Sequence, residues 1–182
     1  MKLRASEVKT KVERPKVGVS SCLLGLGVRY DGGSRCDVGL VVDLHDWAEI
    51  VPICPEVEAG LGAPRAPIKL LGIENTRAVI QTDGSEDCTD KLMAIGAGFV
   101  DNNRVAGLIL KSKSPSCAVQ SAELFEDGAI VSNNGAGIFT RELRAVNPQI
   151  PVEESDNLVT EPERNAFRER VEEYAKKALL DQ

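Results

Sequence analysis

The five cysteines are the residues of this sequence with the most distinctive chemistry. Three of them, Cys22, Cys54 and Cys117, lie at or shortly after the end of a short apolar run that is typical of a buried strand. Open parallel sheets bind ligands at the carboxyl ends of their strands, so we expect these three thiols to meet at one edge of a sheet. Thiolates are soft ligands for iron and zinc, which makes a metal site the first hypothesis.

The number of ligands separates two kinds of metal site. Structural zinc is normally closed by four Cys or His ligands. The single histidine, His45, is predicted to lie in a helix before the Cys54 strand, away from that strand's carboxyl end, so it is a poor ligand and a poor partner for a nucleophile. Cys36 or Cys88 would therefore have to supply a fourth ligand. A four-iron cluster needs only three thiolates if one iron stays open as a Lewis acid toward sulfur.

Two polar residues beside the cysteines are candidates for catalysis. Glu56 follows Cys54 by two residues, where a carboxylate serves either as a general base or as a favourable acid in the first turn of a helix. Ser114 either donates a hydrogen bond to a substrate or caps a helix that begins at Pro115 and contains Cys117. Helix starts at these two places would also lower the pKa of the neighbouring thiols.

Two loops contain weaker candidates for substrate binding. Tyr30 and Asp31 precede two glycines in a turn that would allow the backbone to approach a ligand. Arg65 lies in a proline-rich loop over residues 60–67, from which it could contact a substrate carbonyl or an anion. Both loops are also explained as ordinary surface structure.

The elements that must position these residues alternate between strand and helix. Strands are predicted by four apolar runs, at 17–20, 49–53, 78–81 and 106–110, with a further strand at 150–152. Helical spacing predicts helices at 38–47, 90–99 and 135–146, and an amphipathic C-terminal helix from Thr160 onward. The pattern indicates an α/β fold with a mostly parallel sheet flanked by helices in Rossmann-like layers.

Length and charge limit the organisation and the partners. A chain of 182 residues with 42% hydrophobic content is expected to bury one core, so we predict one main domain at 16–155, between a flexible polar segment at 1–15 and a helical extension at 156–182. The net charge of -6 disfavours DNA and large RNA as partners, although a local basic pocket is compatible with it. The sequence shows neither a signal peptide nor a membrane span, so we expect a cytoplasmic protein.

Four ordered motifs resemble those of the thiouracil desulfurase family. They are SSCLLG at 20–25, VRYDGG at 28–33, CPE at 54–56 and KSKSPSC at 111–117, and the resemblance spans about 16–155 with a further similar stretch, GAGIFT, at 135–140. The sequence departs from the family pattern at Ala118, where glycine is usual, and at Ser34-Arg35-Cys36. The first departure is expected to crowd the loop, and the second to alter substrate choice or add a ligand.

The resemblance implies a cofactor, a reaction and roles for particular residues. It implies a [4Fe-4S] cluster on Cys22, Cys54 and Cys117 with one open iron, with Glu56 and Ser114 as catalytic partners. The implied reaction is the non-redox hydrolysis of the carbon–sulfur bond of a thiolated pyrimidine, as a 2-thiouracil-like base or nucleoside, with release of sulfide. A non-catalytic iron–sulfur or zinc module for binding or sensing is the alternative, and a modified RNA substrate is disfavoured by the acidity of the chain.

Overall fold

The computed structural model describes residues 14–81 and 86–180, so most of the predicted flexible segment at 1–15 lies outside the described residues. The strands are β1 Lys16–Ser20, β2 Glu49–Ile53, β3 Ile68–Leu71, β4 Arg77–Ile80, β5 Gly107–Leu110, β6 Ala122–Glu126, β7 Ala129–Gly135 and β8 Val152–Glu154. The helices are α1 Val38–Trp47, α2 Pro55–Glu58, α3 Thr89–Asn103, α4 Ile138–Val146 and α5 Glu161–Leu180. None of the helices in the described ranges is both long and apolar enough to cross a bilayer.

The first sheet is parallel throughout and has the order β2-β1-β5-β8. Its strands are short, and the two central ones, β1 and β5, are nearly all buried, as expected for a sheet covered on both faces, whereas the edge strands β2 and β8 are more exposed. The predicted α/β fold with a mostly parallel sheet between helices is confirmed. Because β1 lies between β2 and β5, the carboxyl ends of these three strands are neighbours at one edge.

The second sheet differs from the prediction. The run at 78–81 forms β4, but β4 pairs antiparallel with β3 in a separate sheet of order β4-β3-β6-β7. Only residues 72–76 connect β3 to β4, and a link that short makes a hairpin, whereas a parallel partner needs a crossover of about a dozen residues or more. Strands β3, β6 and β7 were not predicted.

Helices pack on both faces of the parallel sheet. On one face, Leu40 and Leu44 of α1 join Val17 and Val19 of β1 in a buried cluster. On the other face, α3 and α4 meet β5 in a second cluster in which the rings of Phe99 and Phe139 pack edge to face. The far side of α3 contacts the second sheet in a third cluster.

The C-terminal helix α5 completes the first of these clusters. Phe167 and Val171 are buried against the parallel sheet. Gly107 of β5 permits this packing, since a Cβ there would come within 2.5 Å of Val171 Cγ2. The amphipathic helix predicted from Thr160 therefore docks on the body of the protein.

Candidate active site

The three candidate cysteines line one pocket at the carboxyl edge of the parallel sheet. The pocket has a volume of about 460 Å³, within the usual range for small-molecule sites. Cys22 follows β1, Cys54 follows β2, and Cys117 belongs to the loop after β5. Strand order alone brings these positions together, although up to 95 residues of chain separate them.

A single 3-10 turn over Ser21–Leu24 holds Cys22. The turn ends at Gly25, whose φ of 89° suits a residue without a Cβ. The Cys22 carbonyl oxygen accepts a hydrogen bond of 2.8 Å from the backbone N–H of Arg35, so the loop over residues 26–37 is tied back onto the cysteine. The backbone around Cys22 is thus fixed from both sides.

Cys54 is the residue immediately before the short helix α2, which begins at Pro55 as predicted. Its thiol points to the backbone of the 28–33 turn, with the sulfur 3.8 Å from the Val28 carbonyl oxygen. This contact brings the turn that contains Tyr30 against the wall of the pocket.

The loop around Cys117 forms turns instead of the predicted helix, so that prediction is wrong. The Ser114 hydroxyl oxygen does accept a hydrogen bond of 3.1 Å from the Cys117 N–H, as a capping residue would, but Gly137 and α4 pack on the loop and no helix continues from it. The buried Thr140 hydroxyl donates to the Cys117 carbonyl oxygen at 2.7 Å. Tertiary contacts, not a helix, therefore hold Cys117.

A buried carboxylate fixes the other side of this loop. Glu154, at the carboxyl end of β8, is 4% exposed and accepts hydrogen bonds from the backbone N–H groups of Val119 and Gln120, at 2.6 and 2.8 Å. Hydrogen bonds to a charged acceptor are about twice as strong as neutral ones. Glu154 thus ties the Cys117 loop to the last strand of the sheet.

Burial has a larger effect on the pKa of the three thiols than any helix dipole. Burial raises the pKa of Cys22, Cys54 and Cys117 above the ordinary value, and nearby negative charge acts in the same direction: that of Cys54 at Cys22, and that of Glu56 at Cys54 and Cys117. The predicted lowering of the pKa at Cys54 and Cys117 is wrong for the chain alone. At Cys54 burial outweighs the backbone N–H groups at the start of α2, which do lower the pKa, and Cys117 starts no helix. A positively charged ligand would favour the thiolates.

Both oxygens of the Glu56 carboxylate have protein partners. Ser116, which is fully buried, donates its hydroxyl to Oε1 at 2.8 Å. Arg65 donates its Nε–H to Oε2 at 2.7 Å, and its Nη2 contacts the same oxygen. Glu56 itself is 8% exposed and lines the pocket beside the cysteines.

The other predicted site residues fall into two groups. Ser114 and Tyr30 line the pocket, as does Arg65. Asp31 does not; its carboxylate accepts from the backbone N–H of Gly33 and pairs with Arg29, so it stabilises the turn itself.

The remaining candidate ligands lie elsewhere. Cys36 is exposed, and Cys88 is buried in the third core cluster, where burial raises its pKa to about 11. His45 is exposed at the end of α1. None of the three lines the pocket.

The pocket is rich in positive charge although the chain is acidic. Glu56 is the one carboxylate among the lining residues. Five cationic side chains line the same pocket: Arg29, Arg35, Arg65, Lys111 and Lys113. Apart from Arg65, these residues were not predicted as part of the site; neither were Ser116, Thr140 and Glu154. The two acids that follow the predicted 150–152 strand, Glu153 and Glu154, were the one available signal for Glu154.

Comparison with known proteins adds an independent observation. The model of the 2-thiouracil desulfurase family matches residues 17–155, which is most of the chain and includes all three pocket cysteines. The chain belongs to the 2-thiouracil desulfurase family. The motif resemblance found in the sequence is thereby confirmed.

Two individual proteins are similar to the chain. The uncharacterized protein YbbK of Bacillus subtilis (strain 168) is 35% identical over 107 residues, which cover 54% of this chain and 70% of YbbK. A solved structure of the [4Fe-4S]-dependent thiouracil desulfidase TudS is 30% identical, with a TM-score of 0.63 over 80% of this chain and 93% of that one.

The departures from the family pattern also have structural positions. Ala118 is fully buried and its methyl group joins the third core cluster, among residues of the second sheet, so it packs there and does not line the pocket. Of the residues at 34–36, Arg35 lines the pocket.

Proposed function

We propose that this chain is an iron–sulfur enzyme that removes sulfur from thiolated pyrimidines, with a [4Fe-4S] cluster on Cys22, Cys54 and Cys117. The observation that supports this proposal most is that three free thiols and one buried glutamate line the same pocket, in a chain of the 2-thiouracil desulfurase family. The similar protein TudS is [4Fe-4S]-dependent and acts on thiouracil.

The donor set fits such a cluster better than a single metal ion. All three donors are soft sulfur atoms, and no imidazole lines the pocket. In the described ranges, no three Cys, His, Asp or Glu side chains are grouped closely enough to hold one ion, as zinc would require. A four-iron cluster is larger than an ion and takes more widely spaced thiolates.

When bound, a cluster with three protein ligands would supply an open Lewis-acidic iron to which a soft sulfur can bind. The reaction balances without an electron donor: the thiocarbonyl and one water give a carbonyl and hydrogen sulfide. The carbon–sulfur bond breaks and a carbon–oxygen bond forms from the water. We therefore assign a hydrolysis.

Residues of the chain would supply proton transfer and substrate binding. Glu56 is placed to accept a proton from the attacking water. Ser114 and Tyr30 line the pocket and are placed to hold the heterocycle. The pocket volume of about 460 Å³ accommodates a pyrimidine base with room for a substituent.

Anaerobic reconstitution with iron and sulfide tests the proposal. The loaded protein is expected to hold about four irons per chain, to absorb as a cluster does, and to release sulfide from 2-thiouracil with formation of uracil. A panel of 4-thiouracil, 2-thiouridine and 4-thiouridine then ranks bases against nucleosides. Sulfide release by iron-free protein would contradict the proposal, and a stable cluster without turnover on any of these compounds would favour the binding or sensing module.

Cysteine variants supply the matched comparison. Replacing Cys22, Cys54 or Cys117 by serine is expected to abolish cluster retention. Replacing Cys36 by serine is expected to leave the iron content unchanged, because this thiol is exposed and outside the pocket.

A further inference from the structure

Arg65 is a buried arginine whose three nitrogens all contact protein oxygens. Its side chain is 7% exposed. Nε and Nη2 both contact Glu56 Oε2. Nη1 donates to the carbonyl oxygens of Val28, at 2.9 Å, and Gly62. The guanidinium is therefore held in one orientation by three different segments of the chain.

These contacts conflict with a role in substrate binding. A substrate oxygen that bound Arg65 would have to compete with Glu56 Oε2 or with the two backbone carbonyl oxygens, and displacing the Glu56 contact would leave an oxygen of a buried carboxylate without a partner. A two-nitrogen contact to one carboxylate is a geometry that arginine makes and lysine does not. The arrangement is that of a clamp on Glu56.

We propose that Arg65 is a positioning residue that fixes the Glu56 carboxylate for the reaction, and that it does not bind the substrate. The inference rests on the proposed function, because it gives Glu56 a task that depends on orientation. Oε2 is occupied by two nitrogens of Arg65, whereas Oε1 has one protein partner, the Ser116 hydroxyl. Loss of the clamp frees the carboxylate to turn away from the reacting water.

The two roles predict different kinetic changes. A residue that only positions the base lowers kcat and leaves KM unchanged, whereas a residue that binds substrate raises KM. Misplacement of a reacting group by about 1 Å costs about 100-fold in rate. For Arg65→Ala we expect kcat to fall about 100-fold, with KM within about threefold of the wild-type value.

Two further variants separate positioning from general damage. Arg65→Lys keeps the charge but not the two-nitrogen contact, so its kcat is expected to lie between those of wild type and Arg65→Ala. Arg164→Ala is the matched control, because Arg164 also pairs with a carboxylate, Asp43, and donates to two carbonyl oxygens, but lies outside the pocket. This control is expected to keep its kcat.

Three readouts complete the test. Millimolar guanidinium chloride is expected to restore at least about tenfold of the lost kcat in Arg65→Ala, because the ion can fill the vacated position beside Glu56. Iron per chain in Arg65→Ala and Arg65→Lys is expected to equal that of wild type. Crystal structures are expected to show Glu56 in one orientation in wild type and displaced in Arg65→Ala.

Several results would overturn the inference. A rise in KM of tenfold or more with unchanged kcat would assign Arg65 to the substrate. Loss of iron from both Arg65 variants, or absence of guanidinium rescue, would make it a purely structural residue. If wild-type protein released no sulfide, the proposed function would fail, whereas the orientation of Glu56 in the crystals would still decide whether Arg65 acts as a clamp.

Discussion

Gly137 provides a sharp test of how the Cys117 loop is held. It lies directly before α4 with φ of -64° and ψ of 148°, a conformation open to any residue. A Cβ at this position would lie 2.4 Å from the carbonyl carbon and oxygen of Ser116 and 2.7 Å from the Cys117 nitrogen. Because the backbone conformation carries no penalty for alanine, any loss of stability in Gly137→Ala comes from this clash.

The size of the effect follows from the distances. Ordinary carbon contacts lie at about 3.5–4.0 Å, so the loop and the start of α4 must separate by roughly 1 Å. The separation stretches the hydrogen bond from the Gly137 N–H to the Ala118 carbonyl oxygen, now 2.8 Å, and the one from Thr140 to Cys117. Overpacking of this kind costs about 1–3 kcal/mol of unfolding free energy. It also moves one proposed cluster ligand away from the other two.

Urea unfolding of the metal-free protein and iron content after reconstitution measure the two consequences. Gly137→Ala is expected to unfold at lower urea and to hold clearly less iron than wild type. Gly39→Ala is the control, because a Cβ there has only an ordinary contact at 3.6 Å and an exposed helical glycine gains about 0.5–1 kcal/mol on replacement by alanine. Wild-type stability and iron content in Gly137→Ala would refute the reasoning.

Three further predictions concern acidic residues. Glu56→Gln is expected to keep its iron and to lose sulfide release by about 100-fold or more, the usual contribution of a general base; undiminished turnover would exclude that role. Glu154→Ala is expected to lower the free energy of unfolding in urea by about 1.5–3 kcal/mol and to retain less iron. Glu154→Gln, which keeps one acceptor oxygen, is expected to lose less, and equal losses in the two variants would contradict the hydrogen-bond explanation. For Glu153, burial acts to raise the pKa, but hydrogen bonds from Asn157 and Arg170 outweigh it and hold the pKa below 4.5. The stabilisation is therefore present above about pH 4.5 and lost as the pH falls through the lower folded value. Wild type should have a higher Tm than Glu153→Gln at neutral pH, and the difference should vanish in strong acid; a difference independent of pH would refute this explanation.

The parallel sheet was predictable because its signals are local. The run at 49–53 became β2 and the spacing at 38–47 became α1, each with the predicted bounds. Both patterns depend only on periodicity and on flanking residues. The same is true of the helix start at Pro55. These features also place Cys22 and Cys54 at neighbouring strand ends.

The second sheet lacks such signals. β7 is an edge strand whose residues are mostly exposed, so it has no apolar alternation to detect. β3 is four residues long and follows directly on the loop that contains Arg65. Its pairing with β6 depends on a partner about 50 residues away, which a local pattern does not contain.

The candidate site also combines features that local sequence predicts with features that depend on distant residues. Its cysteines and Glu56 were proposed from their positions after strands. The contacts that Ser116 and Arg65 make with Glu56 were not predicted, because they span 60 and 9 residues of sequence, although Arg65 was a candidate for substrate binding. The helix expected at Cys117 failed for the same reason: Ser114 makes its capping contact, but Thr140 and Glu154 decide the path of the loop.

The cationic side chains of the pocket affect the pKa of its three thiols. Burial disfavours their thiolate forms, and negative charge on Cys54 further raises the pKa of both Cys22 and Cys117. Arg29 and Lys111 act against this at Cys22, where both lower the pKa, although burial remains the larger effect. Although the chain has a net charge of -6, five cationic side chains line the pocket that contains the three thiols. Positive charge at this edge would stabilise thiolates, and it therefore supports the proposed cluster site.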